Sequence, residues 1–331
     1  DPSKIRPLQL SGHEPHGNTF LLDSAVFVDE GRVLFGRAAL ARADALASKK
    51  RVALKSFKTL LSVSDLERAL NTNAPLSIDP HRLFQMRDLI VLYLAYLLAS
   101  IERARLADPE LSQATYIARR YAAPAWRSGD SAGMHEAILK LFGEAEAFRA
   151  AAGRRLMSPE GLAMNTISDL LPKAMASARP LDMGLIFEAP AAAAYTSIGL
   201  ADSGSHMIVV DMGAGTTDIA ALARLGNRTL ELPEARVTLK QAGDFVDNVI
   251  ANMVLETAAW ARTPEQKADL WSVLMRQMRD IKEGVFADGK ATLRHQGRTL
   301  SLAMRDIERD ADFKEFAKAL TQAYDHSLAI V

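Results

Sequence analysis

Val210-Asp211-Met212-Gly213-Ala214-Gly215-Thr216-Thr217-Asp218 is the stretch on which the fold reading turns. It follows the apolar run Met207-Ile208-Val209 and precedes Ile219 to Leu225, so it reads as the tip of a strand–turn–strand hairpin. Glycine adopts backbone angles denied to other residues, which lets successive amide groups converge on one anion. Thr216 and Thr217 add hydroxyl donors, and Asp211 and Asp218 bracket the turn. Two carboxylates beside an anion cradle suit magnesium held through its waters, because that ion prefers oxygen ligands and keeps its hydration shell. The combination fits the phosphate tail of a magnesium–nucleotide. An ordinary hairpin with small residues at its tip is the plainer alternative.

The commoner phosphate motifs are missing. The sequence has no Gly-x-x-x-x-Gly-Lys-Ser/Thr, and no Gly-x-Gly-x-x-Gly between a strand and a helix. Whatever binds phosphate here does so on a strand–strand turn. Composition removes further classes. The 331 residues suggest about two domains, and a hydrophobic content of 49% is that of a folded chain. Forty basic side chains balance forty acidic ones, which argues against binding nucleic acid through bulk charge. The absence of cysteine excludes disulfides, thiolate zinc sites and cysteine nucleophiles, and fits a cytoplasmic protein.

Asp1 to Gly17 is polar, with Pro2, Pro7 and Pro15, so no secretory signal is expected there. The most apolar stretch, Leu89 to Ile101, has thirteen residues. A membrane span needs about 20, so a buried helix is expected instead of a span. The histidines at 13, 16, 81, 135, 206, 295 and 326 have no metal-ligand spacing.

Around the central hairpin the pattern predicts a strand pair within 20–36, a helix to about Ala47, and a long helix from about Asp79 to Leu106. A strand is expected within 114–126, with helical blocks at about 132–152 and 158–178. A short strand at 184–187, a small-residue helix opening at Ala189-Pro190 and a turn at 202–205 follow. Helices from Phe245 to Arg262 and from Pro264 to Ala287 precede two strands around 291–302.

Phe187-Glu188-Ala189-Pro190-Ala191-Ala192-Ala193-Ala194-Tyr195 together with Val210 to Asp218 resembles two successive motifs of the seventy-kilodalton heat-shock chaperones. These belong to the actin and sugar-kinase ATPase superfamily. In that family the first motif connects the lobes and the second is the second phosphate loop, in this order and at this spacing. More weakly, Ser24 to Val28 with Arg32 to Ala39 is similar to the family's early strand pair and helix, and Lys55 falls where it carries a catalytic lysine. Ala122-Ala123-Pro124-Ala125-Trp126 resembles a strand end. Ala242 to Asn248 resembles the segment opening the outer part of the second lobe, and Met278 to Glu283 falls at the adenosine-contacting helix.

The resemblance implies an α/β, actin-like ATPase fold, each of its two lobes a mixed sheet packed by helices, with nucleotide in the cleft. Lobe I would cover 1–201, its outer subdomain about 37–106, and lobe II 202–331, its outer subdomain about 243–312. The implied ligands are ATP or ADP with Mg2+, and the implied chemistry is transfer of the terminal phosphate to water. Asp211 and Asp218 would organise magnesium and its waters. Gly213, Ala214, Gly215, Thr216 and Thr217 would surround the phosphates, with Gly243, Arg279, Lys282 and Glu283 beside the nucleotide. Lys55 would reach the γ-phosphate and Glu188 would orient the attacking water. Each has a plainer role: Lys55 and Lys282 as exposed lysines, Glu188 as a helix-start acid.

Departures from the family are plain. Its first phosphate loop, Asp-x-Gly-Thr-Thr, does not occur before residue 20, and its late glycine-rich adenosine motif would follow Val331. The chain therefore reads as two incomplete lobes, cut or diverged at both ends. Ala214 replaces a glycine, and a left-handed backbone there would cost alanine on the order of 1 kcal/mol. Arg279 replaces a glutamate, and 127–180 aligns poorly. The favoured function is the nucleotide-binding domain of a chaperone-like ATPase, with clients or co-chaperones engaging regions outside this chain. The alternatives are an actin-like bacterial filament or scaffold protein, and a degenerate relative without hydrolysis.

Overall fold

The computed structural model describes residues 7–10, 19–55, 57–61, 63, 65–123, 131–188, 191, 205–226 and 228–331. It divides into two compact units, Asp1–Phe187 and Glu188–Val331. The expected lobe boundary between 201 and 202 lies outside the described residues. So do Pro124 to Trp126, Ala189-Pro190, Ala192 to Tyr195 and the turn at 202–204.

In the first unit, β1 (Ala25–Asp29) and β2 (Arg32–Phe35) form the expected hairpin, turned at Gly31 with φ 73. β3 (Leu54–Lys55) pairs with β1 and β5 (Leu162–Ala163) with β2, giving the antiparallel order β3-β1-β2-β5. β4 (Arg120–Ala123) lies between these two in the chain and pairs in parallel with β6 (Gly184–Phe187). The unbroken apolar run in β1 follows from burial on both faces. Ala25 and Phe27 pack with Ala39 and Ala43 of α1 (Gly36–Ala45), while Val26 and Val28 join the main core.

Two short helices, α2 (Phe57–Leu60) and α3 (Leu66–Leu70), lead to α4 (Met86–Ala107), whose residues Leu89 to Ala95 are all buried. α5 (Ser131–Ala152) and α6 (Met164–Ser177) complete that core. The Arg87 guanidinium pairs with the buried Glu144 carboxylate, joining α4 to α5.

Two helix starts differ from expectation. α4 begins at Met86 instead of about Asp79, because the buried Asp79 carboxylate accepts from the amides of His81 (3.1 Å) and Phe84 (2.8 Å) and folds 79–84 into a turn. α6 begins at Met164 instead of about 158, because 158–161 turns and Leu162-Ala163 joins the sheet.

In the second unit, β7 (His206–Met212), β8 (Thr217–Leu225) and β9 (Arg228–Leu239) form an antiparallel sheet in that order. β9 was not anticipated. Its Pro233 sits where the register jumps between Ile219↔Val237 and Ala221↔Leu232, the irregularity that admits proline to a sheet.

α7 (Gly243–Thr257) starts and stops earlier than the expected 245–262. Its Val246, Ile250 and Val254 share a core with Leu270, Leu274, Met278 and Ile281 of α8 (Pro264–Asp288). α8 opens on a capping box between Thr263 and Gln266 and closes at left-handed Gly289. β10 (Lys290–His295) and β11 (Arg298–Ala303) form a hairpin, followed by α9 (Met304–Ile307) and the unanticipated α10 (Ala311–Ile330). α10 is fastened to β9 where Ser327 Oγ donates to the Ala235 carbonyl at 2.6 Å. Among the described residues no helix is long and apolar enough to cross a membrane.

Candidate functional site

The hairpin β7–β8 places its two acids directly opposite each other. Asp211 pairs with Asp218 and Met212 with Thr217, and the tip closes where the Gly213 amide donates to the Thr216 carbonyl at 2.9 Å. Directly opposed residues of an antiparallel ladder point to the same face, where like charges repel. The two carboxylates are held differently. Asp218 is buried, at 3% exposure, and accepts from Thr238 Oγ1 at 2.6 Å and Thr216 Oγ1 at 3.3 Å. Asp211 is half-buried, and its carboxylate makes no hydrogen bond or ion pair among the described residues.

The tip leans on α7. The amides of Gly243 and Asp244 donate to the carbonyls of Gly213 (3.1 Å) and Ala214 (2.7 Å), and Thr217 Oγ1 donates to the Gln241 carbonyl at 2.8 Å. Among the described residues, the amides of Ala214 and Gly215 donate to no protein acceptor, and Ala214 is exposed. Among the described residues, the non-glycine residues with left-handed backbone are Lys50, Arg82 and Gln296, so Ala214 does not carry the cost that such a backbone would bring. Gly243 is needed for closeness. A Cβ there would stand 3.1 Å from the Gly213 carbonyl oxygen and 3.4 Å from Lys282 Nζ.

Of the residues named from sequence, Asp211, Gly213, Ala214, Gly215, Thr216, Thr217, Asp218, Gly243 and Lys282 come together at one end of the second unit. Lys282 Nζ donates to Asp247 Oδ1 at 2.6 Å and reaches the Gly243 carbonyl at 3.5 Å, so it braces α8 to α7 beside the tip. Arg279 and Glu283 pair with each other at 2.8 Å on an exposed face of α8. That hydrogen bond raises the Arg279 pKa above its ordinary value. Glu188 opens the second unit and is half-buried, and Lys55 lies exposed on β3 of the first unit. Arg51 has a structural task, donating to the carbonyls of Val28, Ser77 and Ile78.

Thr238 and Asp247 were not foreseen. Thr238 is visible only once β9 is placed in register with β8, and Asp247 only as the residue one turn into α7 that meets Lys282. An all-oxygen donor set with one free and one hydroxyl-held carboxylate fits a hard cation. No three acidic or histidine side chains among the described residues converge as a direct metal site, so such a cation would be held through its waters and phosphate oxygens.

No protein-family model matches the chain. Over 51 residues, 15% of this chain, it is 51% identical to the Actin-like protein MamK of Paramagnetospirillum magneticum, a stretch that covers 14% of that protein. Over 55 residues, 17% of the chain, it is 46% identical to the Actin-like protein MamK of Magnetospirillum gryphiswaldense, again covering 14% of the relative. The likeness is thus to proteins named actin-like, and it spans about a seventh of their length. Neither relative is named as a chaperone, so the heat-shock reading gains nothing from them.

Proposed function

We propose that this chain is the nucleotide-binding body of an actin-like filament protein, holding magnesium–ATP on the turn between Asp211 and Asp218. The observation that carries the site is the pair of opposed carboxylates, Asp211↔Asp218, beside the Ala214 and Gly215 amides, which have no protein acceptor among the described residues. Like charges at facing positions are unfavourable alone and become favourable when a cation lies between them. The actin-like relatives tip the choice from chaperone to filament.

In this reading the amides of Ala214 and Gly215 and the Thr216 hydroxyl take the phosphates. Asp218, positioned by Thr238, and Asp211 order the water shell of magnesium, which when bound neutralises phosphate charge. Glu188, at the opening of the same unit, keeps the role that the resemblance implies, as water-orienting base. Arg279 and Glu283, committed to each other, are not needed as nucleotide ligands.

Calorimetric titration of magnesium–ATP into wild type and Asp211→Asn tests the site, with light scattering and phosphate release followed on the same samples. Loss of binding in the variant and nucleotide-dependent scattering in wild type are expected. Equal binding by both proteins refutes the phosphate site. Binding without assembly refutes the filament reading and returns the choice to a switch-like ATPase or, without turnover, a degenerate relative.

A further inference from the structure

Asp247 stands one turn into α7, past the first turn, where a helix N-terminus favours acids and where Asp244 is exposed. It is half-buried, on a helix whose Val246 and Ile250 belong to the core. The helix dipole therefore does not account for a carboxylate at this position.

What meets it is Lys282 of α8. The ammonium donates to Asp247 Oδ1 at 2.6 Å, and the Asp247 and Lys282 side chains are 17% and 30% exposed. A pair shielded to this degree loses less to solvent and salt than a surface pair does.

The pair also fixes where the ammonium ends. Lysine carries its charge on a flexible four-carbon stem, so an unanchored ammonium moves among many rotamers. Here Nζ reaches the Gly243 carbonyl oxygen at 3.5 Å, and a Cβ on Gly243 would lie 3.4 Å from it. The same Cβ would lie 3.1 Å from the Gly213 carbonyl oxygen and 3.6 Å from Ala214 Cα. The anchored cation and the turn 213–214 thus border one glycine.

That placement answers a charge deficit. The turn offers amides, hydroxyls and the carboxylates of Asp211 and Asp218, and none of these is positive. A nucleoside triphosphate carries more negative charge than one magnesium ion offsets, so a fixed cation beside the turn strengthens its binding. A cation already held in place costs less to recruit than one that must be ordered on binding.

We propose that Asp247 is a positioning residue of the nucleotide site, anchoring Lys282 so that its ammonium stands beside the turn 213–214 to meet the bound nucleotide. Asp247 itself touches no nucleotide. This rests on the phosphate-site reading and adds to it a residue that acts through another.

Calorimetric titration of magnesium–ATP, with melting followed on the same samples, tests it. The proteins are wild type, Asp247→Asn, Asp247→Glu, Lys282→Met, Asp247→Asn/Lys282→Met, the reversed pair Asp247→Lys/Lys282→Asp, and Asp211→Asn. Lys282→Met is expected to weaken binding roughly tenfold, as loss of a charge-assisted contact does, and Asp247→Asn about threefold or more. Asp247→Glu should recover most of what Asp247→Asn loses. In the Lys282→Met background, Asp247→Asn should change affinity no further. The reversed pair separates positioning from bracing. It rejoins α7 to α8 with the charges exchanged, so it should regain stability while its affinity stays at or below that of Lys282→Met.

Affinity that returns with stability in the reversed pair means a brace alone and overturns the proposal. Additive losses of affinity in the double variant overturn it whatever the reversed pair does, as does a wild type that takes up no nucleotide. Binding lost in Asp211→Asn but kept in the Asp247 and Lys282 variants overturns this inference and leaves the phosphate site standing. The converse, binding kept in Asp211→Asn and lost through Asp247 and Lys282, overturns the phosphate site and keeps the anchored cation.

Discussion

Replacing Thr238 by valine removes one hydroxyl and keeps the shape of the side chain. That hydroxyl donates to Asp218 Oδ1 at 2.6 Å, and the other donor to the same carboxylate, Thr216 Oγ1, lies at 3.3 Å. With Asp218 only 3% exposed, most of the compensation for burying its charge rests on Thr238. Hydrogen bonds to charged groups contribute about 1.5–3 kcal/mol. Thr238 is itself exposed, so water replaces part of the lost hydroxyl, and the lower end, about 1.5 kcal/mol, applies. With a urea dependence of about 2 kcal/mol per molar, the midpoint for the second unit should fall by roughly 0.7 M. The assay is urea unfolding of wild type, Thr238→Val, Asp218→Ala and the double variant, followed by a probe within residues 188–331. In the Asp218→Ala background, Thr238→Val should cost under about 0.5 kcal/mol, since no carboxylate remains to serve. An equal cost in both backgrounds refutes the claim that Thr238 acts through Asp218.

Asp211→Asn removes the like-charge opposition across the ladder and should raise the stability of the ligand-free protein by about 0.5 kcal/mol in urea, while abolishing magnesium–ATP binding. Gly143→Ala should be among the most damaging single changes, because its Cβ would fall 1.9 Å from the Arg179 carbonyl oxygen. A loss of about 3 kcal/mol or more is expected in the first unit, and near-wild-type unfolding would contradict the packing of α5 against 179–180. Burial pushes the Tyr121 phenol up to about 12, where it contacts His135 Nδ1 at 2.6 Å. The unfolded chain gives up this proton near pH 10 and the folded chain keeps it, so stability should fall as pH rises from about 10 to about 12. Tyr121→Phe should flatten that fall and remove a late step from the ultraviolet phenolate titration.

Local signals made the skeleton legible in the sequence. Short apolar runs at 25–28 and 33–35 with Gly31 between them give β1–β2, and Thr263-Pro264 with Gly289 marks both ends of α8. Where the prediction failed, a buried polar group or a long-range pairing overrode the local pattern. The apolar periodicity of α4 runs back past Met86, and only the burial of Asp79 turns the chain there. β9 was hidden by Pro233, which demotes a strand until the bulge opposite Ile219 and Ala221 makes room for it. At the site, the turn 211–218 was readable because its chemistry lies in consecutive residues. The pairing of Arg279 with Glu283 was not readable, because a sequence position does not show which helix neighbours meet.

The manner in which the tip is fastened bears on how narrowly the site can be recognised. Gly213 and Ala214 are held to α7 by their carbonyls, through the amides of Gly243 and Asp244. Backbone groups make these bonds, so they tolerate almost any side chain, except where a Cβ would intrude. Gly243 is that place. The attachment therefore leaves one glycine as its trace, while Asp211, Thr216 and Asp218 carry the chemistry by side chain. Gly243→Val separates the two requirements. Its branched side chain would press on the Gly213 carbonyl oxygen and strain both carbonyl bonds, worth about 1 kcal/mol each. If those bonds set the positions of the Ala214 and Gly215 amides, phosphate affinity should drop while every side-chain ligand remains. Wild-type affinity in Gly243→Val, with the expected loss in stability, would mean that the tip holds its shape without α7.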